Sequence, residues 1–245
     1  MDPDATEPYA RTKRVIIAFF LCYSIVLFML LLINTGTNSV FRTVLLMGFT
    51  LFVLWVVVGG SLQIRVRKKF AEKLSQQREH PICYFIIVAT TFALVEEAIA
   101  TTITNLAFTF GVPIGKAYIT ASTNYIDVVT LHSVIVFIPQ FFMLGFLLKK
   151  YSISPFAAFL VYGLVGVFGE VTFSGSSAIL NAPFWICVYG LMVYLPAHTF
   201  VSLKRKKISF LLYPLFIFIV AFSAIATAWI PASLHHPRLH FEEIK

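Results

Sequence analysis

Charge is scarce in this sequence. Only 12% of its 245 residues are Asp, Glu, Lys or Arg, about half the share of a soluble domain, and that excludes a solvated or disordered chain. Cysteine is scarcer still. Cys22, Cys83 and Cys187 fall within or at the edge of apolar runs and share no Cys-x-x-Cys spacing, so a disulfide scaffold, a zinc knuckle and a redox motif are all excluded. Internal repeats are lacking, which argues against an inverted-repeat transporter architecture. Lipidation signals are lacking too, with Asp2 in place of the glycine that myristoylation needs and no C-terminal Cys box. The first apolar run exceeds the length of a signal-peptide core and no Ala-x-Ala site follows it, so it is expected to stay as a span.

What is abundant is apolar surface. Hydrophobic residues make up 59% of the chain and the mean hydropathy is +0.87, more than one water-soluble core can bury. A helix needs roughly 20 mostly apolar residues to cross a hydrocarbon core of about 30 Å. Residues 15–34, 43–64, 82–108, 125–148, 153–173, 183–203 and 208–230 meet that requirement. Each is continuous in Leu, Ile, Val and Phe, unlike the short alternating strands of an outer-membrane barrel. The predicted fold is all-α: a polytopic integral membrane protein of seven transmembrane helices, forming one domain over residues 1–245.

The basic residues sort by side. Arg11, Lys13 and Arg14 precede the first span, and Arg65, Arg67, Lys68, Lys69, Lys73 and Arg78 follow the second. Lys149 and Lys150 follow the fourth, and Lys204, Arg205, Lys206 and Lys207 the sixth. Only Arg42, Lys116, Arg238 and Lys245 fall on the other side. Positive residues concentrate on cytoplasmic loops, so the N-terminus is expected inside, the C-terminus outside, and the protein in the cell membrane. The formal charge of +8 then reflects topology and attraction to anionic lipid headgroups at the cytoplasmic face, not nucleic acid. The expected partner is the lipid bilayer, and no protein partner is indicated.

Two connections are long. Residues 65–81 read as a basic cytoplasmic loop, in which Phe70, Ala71 and Leu74 suggest a short helix on the membrane surface. Residues 111–124 are too polar to span and too apolar for a solvated loop, which predicts a re-entrant or capping segment over the outer mouth.

Within the apolar stretches stand Glu96, Glu97, Asp127 and Glu170, joined by His132 and His198. A carboxylate at mid-membrane costs about 2.5–3.5 kcal/mol on insertion scales unless neutralised or paired, so such residues mark functional sites by default. Glu96 and Glu97 are adjacent, about 100° apart around a helix, and neighbouring carboxylates favour sharing a proton or holding a cation. Glu97 heads a polar stripe with Thr101, Thr104 and Asn105. Counting at 1.5 Å per residue puts Glu96, Glu97, His132 and Glu170 in the middle-to-outer half of the bilayer. Asp127 is nearer the interface, where a helix-end role is cheap, and His198 lies near the inner edge. The catalytic candidates are therefore Glu96, Glu97, His132 and Glu170, with Thr101, Asn105 and Asp127 as polar support. Glu97, His132 and Glu170 are also candidate ligands for a divalent metal. His236 and His240 form a weaker i, i+4 pair, interrupted by Pro237. Gly163, Gly166 and Gly169 read as a close helix-packing face that also leaves room beside Glu170.

The order Glu96-Glu97, His132, His198 is similar to that of the CPBP-type intramembrane proteases, which carry Glu-Glu-x-x-x-Arg, Phe-x-x-x-His and His-x-x-x-Asn/Asp. Here Thr101, Val128 and Ser202 stand where Arg, Phe and Asn or Asp belong, so membership is not claimed. A retinal protein is excluded by the absence of lysine from the seventh span.

Three functions fit these residues. The first is a membrane-embedded enzyme, a hydrolase using the Glu/His cluster. The second is a cation- or proton-coupled transporter or channel using the same carboxylates. The third is a structural subunit whose buried polar groups only lock helices. The topology itself is testable by C-terminal fusions in a bacterial host. A phosphatase fusion should be active and a green fluorescent fusion dark, and the reverse pattern would invert the assigned orientation.

Overall fold

A computed structural model describes residues 10–75, 79–201, 203 and 205–233. Helices dominate, and among the described residues the β-type pairing is confined to the isolated bridges Ile114–Ala117 and Tyr151–Lys206. Helix α1 (Ala10–Ile33) ends in a turn with Gly36 at φ +54°. The Asn38 side chain caps α2 (Ser39–Leu51) by accepting the Phe41 N–H. A π-helical stretch, Phe52–Gly59, then leads without a break into α3 (Gly60–Ser75). The basic residues from Arg65 to Lys73, expected in a loop, thus continue the second span as one rod. Lys, Arg, Glu and Gln are good helix formers, so the end of the apolar run is not the end of the helix.

Pro81 opens α4 (Pro81–Asn105), where its missing N–H costs nothing. Next come a short 3-10 turn, Ala107–Phe110, and the non-helical segment 111–124. The fourth span is broken. It starts as α5 (Tyr125–Asp127), passes through a π turn at Val128–His132, kinks at Ser133 and continues as α6 (Val134–Lys150), with a bend of 47°. Helix α7 (Pro155–Ser174) is capped by Ser154 and is followed by a 3-10 segment and α8 (Ala182–Tyr194). A second 3-10 turn, Pro196–Phe200, precedes α9 (Tyr213–Ser223) and α10 (Ile225–Ser233).

Six helices are long and apolar enough to cross a membrane, and the bent pair makes a seventh if it is one span. The chain is accordingly a polytopic membrane protein. Its surface agrees: Phe19, Val26, Phe142, Phe168 and Phe218 are more than half exposed or nearly so, which in water would be a liability and in lipid is the expected outer coat. The alternating helices bring the basic segments to one end of the bundle, called here the basic end. There Arg205 donates from Nη1 to the carbonyls of Leu148, Tyr151 and Ile153 at 3.1–3.3 Å, and its partial burial holds the guanidinium below its ordinary value. His236, His240, Ser202, Arg78 and Lys204 lie outside the described residues.

The tightest packing joins α7 to α8. A Cβ at Gly163 would lie 2.7 Å from the Ile186 carbonyl, one at Gly166 2.1 Å from the Tyr189 ring, and one at Gly190 2.5 Å from the Phe159 ring. Small residues allow this approach, and helix packing in lipid depends on it. Gly169, the third glycine of the α7 series, faces open space. Gly166→Ala should therefore lower stability by about 1–3 kcal/mol in detergent unfolding, while Gly169→Ala should be neutral or slightly stabilising. Equal effects of the two would show that the α7–α8 contact is looser than described.

Candidate functional site

Away from the basic end, polar residues of several helices meet in one place. Glu96 and Glu97, on α4, are only 6% and 8% exposed. Glu170 comes from α7, one turn (about 6 Å) from the helix end at Ser174. The three carboxyls lie close enough to act on one another electrostatically, and the charged groups acting most strongly on Glu96 are the other two. Three carboxyls in a low-dielectric interior cannot all be ionised without a counter-cation. The cluster must hold protons or a positive ion.

Hydroxyls surround it. Tyr189 on α8 donates to Glu170 Oε1 at 2.5 Å, and Ser174 donates to Oε2 at 3.3 Å. The side chains of Ser133 and Thr120 lie near the Glu97 carboxyl. Thr120 belongs to the segment 111–124, which therefore reaches Glu97, eight residues or about 12 Å from the α4 terminus. Other bonds pin that segment inward. The Ile119 N–H donates to Thr104 Oγ1 at 3.3 Å, and Asn105 Nδ2 donates to the Thr123 carbonyl at 2.8 Å. Tyr125 reaches past the segment to donate to the Leu94 carbonyl at 3.0 Å. Val112, Ala117 and Ser122 are buried. A segment too apolar for water has folded back into the bundle.

Ser133 occupies the kink of the fourth span, and its position is chemically pointed. Its Oγ donates to the Val128 carbonyl at 3.1 Å, and the Glu97 carboxyl lies nearby.

The sequence-derived candidates divide accordingly. Glu96, Glu97 and Glu170 come together. His132 ends the π turn next to Ser133 and is half-buried. Thr101 is buried one turn above Glu97, with no hydrogen-bond partner for its hydroxyl. Asn105 serves the folded-back segment, and Asp127 accepts a long 3.5 Å bond from Ser122 at the helix start. His198 stands apart at the basic end, its Nδ1 3.1 Å from the Tyr194 carbonyl and its ring edge-on to Tyr194. Among the described residues no three His, Cys, Asp or Glu side chains converge to hold a metal ion, so Glu97, His132 and Glu170 share a depth without forming a ligand set. Tyr189, Ser133, Thr120 and Tyr125 were not legible as members. A tyrosine within an apolar run was the available hint, because a buried phenol usually finds a partner.

Toward the basic end the polar line continues. Tyr162 donates to Gln140 Oε1 at 3.0 Å, both buried, eight residues along α7 from Glu170 and seven along α6 from Ser133. Thr90, seven residues from Glu97, has a buried hydroxyl without a partner. Beyond them Phe85, Phe141, Leu144, Met192 and Phe200 close the bundle.

If the segment is held as described, Asn105→Ala should free it. Amide exchange over 111–124 should accelerate by roughly tenfold for each 1.4 kcal/mol lost while α7 and α8 stay protected. Unchanged exchange would mean that Asn105 does not anchor it.

Comparison of the chain with family models, with curated proteins and with solved structures yields no match.

Proposed function

We propose that the protein is a proton- or cation-coupled transporter or channel whose coupling site is the Glu96, Glu97 and Glu170 cluster. One observation carries this reading: the fourth span breaks at Ser133, beside the Glu97 carboxyl. Discontinuous helices beside intramembrane carboxylates are how transporters bind a coupling ion near mid-membrane. Glu170, near the helix end and beside the open space at Gly169, is the group through which protons enter. Tyr162, Gln140 and Thr90 extend the polar line inward, and the aromatic plug below them acts as the barrier.

The positive-inside pattern supports placing the basic end in the cytoplasm. An energised cell membrane then supplies the gradient. The membrane hydrolase is the second reading, favoured by the short Tyr189–Glu170 bond beside open space, which would let Glu170 meet a substrate from the outer face.

Reconstitution into vesicles with a pH-sensitive dye inside separates these readings. Under an imposed potential, wild-type protein should move protons faster than protein-free vesicles. Glu97→Gln should abolish the flux with the fold intact, since the amide retains most hydrogen bonds, and Ser133→Ala should slow it about tenfold or more. Flux equal to empty vesicles under both proton and sodium gradients would overturn the transport reading. Full flux in Glu97→Gln would remove the cluster from it.

A further inference from the structure

A cavity of substantial volume lies away from the carboxylates, and its walls change character along their length. It has a volume of about 530 Å³ and sits between α1, the α2–α3 rod, α7 and α8. At its mouth stand Lys13, Arg14, Arg67 and Lys68. Its floor is formed by Leu21, Val56, Leu191 and Cys187, with Phe156 and Phe159 on the α7 side. From Lys68 to Val56 is twelve residues of continuous helix, or about 18 Å, close to the roughly 15 Å of hydrocarbon that one leaflet contributes. Cations therefore sit at headgroup depth and the apolar floor at acyl-chain depth.

The cavity exists because α1 leans on the bundle mainly through its outer half. Phe28 packs against Phe49, Phe52 and Phe184, and Tyr23 donates to the Leu180 carbonyl. Nearer the basic end α1 stands off, leaving a gap bordered by Ile17, Ser61, Val57 and Ile64. Val57, Ser61 and Ile64 are exposed, so the gap opens sideways toward lipid. The opposite wall is held firmly. Trp55 Nε1 donates to the Val188 carbonyl, Gln63 Nε2 to the Leu191 carbonyl, and Arg67 Nη1 approaches the Tyr194 hydroxyl at 3.4 Å. Trp55 belongs to the π-helical stretch, and π segments recur at functional sites.

We propose that this cavity is a binding site for one anionic glycerophospholipid, with its phosphate between Lys13, Arg14, Arg67 and Lys68 and an acyl chain along Val57 and Leu191. Charge complementarity fixes the sign of the headgroup, and the apolar floor requires a hydrocarbon chain rather than a free anion. The inference is independent of the transport reading, since it uses none of the carboxylate cluster.

Native mass spectrometry of the full chain, exposed to equimolar dioleoyl phosphatidylglycerol and dioleoyl phosphatidylcholine in detergent, tests it. Wild-type protein should retain phosphatidylglycerol in preference by about tenfold or more, consistent with the attraction of basic residues for anionic lipid. The double variant Lys13→Gln/Arg14→Gln should lose that preference, as should Arg67→Gln/Lys68→Gln. Val57→Trp, which narrows the apolar half and leaves every cation in place, should cut retention of both lipids. Lys13 and Arg67 are half-buried and the other substituted residues exposed, so unchanged unfolding midpoints and elution volumes should confirm intact folds. Equal retention of the two lipids by wild type would overturn the proposal, as would phosphatidylglycerol preference surviving both double variants. Displacement of phosphatidylglycerol by millimolar glycerol 3-phosphate would also overturn it, by identifying a site for a free phosphate.

Discussion

A tyrosine lying across a glycine holds together the half of this bundle away from the basic end. Without a Cβ, Gly166 lets the Tyr189 ring lie directly on α7, and Gly163 and Gly190 extend the same close approach. Tyr189 is also packed edge-on by Phe137 of α6 and against Trp185 of its own helix. Its hydroxyl consequently has one place to go, which is Glu170. With Glu170 fixed, the third carboxyl is set toward Glu96 and Glu97. A bulkier residue at position 166 would separate two helices and also release the acid from its donor.

The same economy governs the breaks in the helices. Hydrocarbon offers no water to a freed backbone group, so an interruption survives only where protein re-satisfies it. At Ser133 the backbone N–H turns back to Val128, at 2.9 Å, and the side chain competes for the same carbonyl. At the π stretch of the second span the ladder continues, and Trp55 and Gln63 reach across to carbonyls of α8. The first interruption touches the carboxylates and the second borders the lipid-facing cavity. Both irregular backbones therefore coincide with the chemically distinctive regions of the molecule.

Much of the architecture was legible in the sequence because the bilayer imposes a length and a cost. Twenty apolar residues in a row, and basic residues sorted by loop, sufficed to find the helices and the end they share. The cost of a buried carboxylate likewise singled out Glu96, Glu97 and Glu170. Azimuth was not legible. Depth along an axis can be counted from a helix end, but which residue faces inward depends on packing, and a kink resets it. That is why Ser133, in the break, could not be placed near Glu97 from the sequence, and why a shared depth did not by itself make Glu97, His132 and Glu170 a ligand set among the described residues. Tyr189 and Thr120 come from other elements and carry no local signal. The extent of α3 was missed for a simpler reason. Hydropathy reports where lipid ends, and a helix of Lys, Arg and Glu can continue into water.

Stability alone does not account for the carboxylate cluster. Placing three acidic side chains within the bilayer costs roughly 9 kcal/mol on insertion scales. The hydrogen bonds from Tyr189 and Ser174 to Glu170, at about 2 kcal/mol each for charged groups, offset less than half of that. Apolar side chains of the same volume would fill the space with no such outlay, since buried polar networks are commonly no more stable than their hydrophobic replacements. Carboxylates that return so little stability for their cost mark this cluster as a functional candidate rather than a device for joining helices.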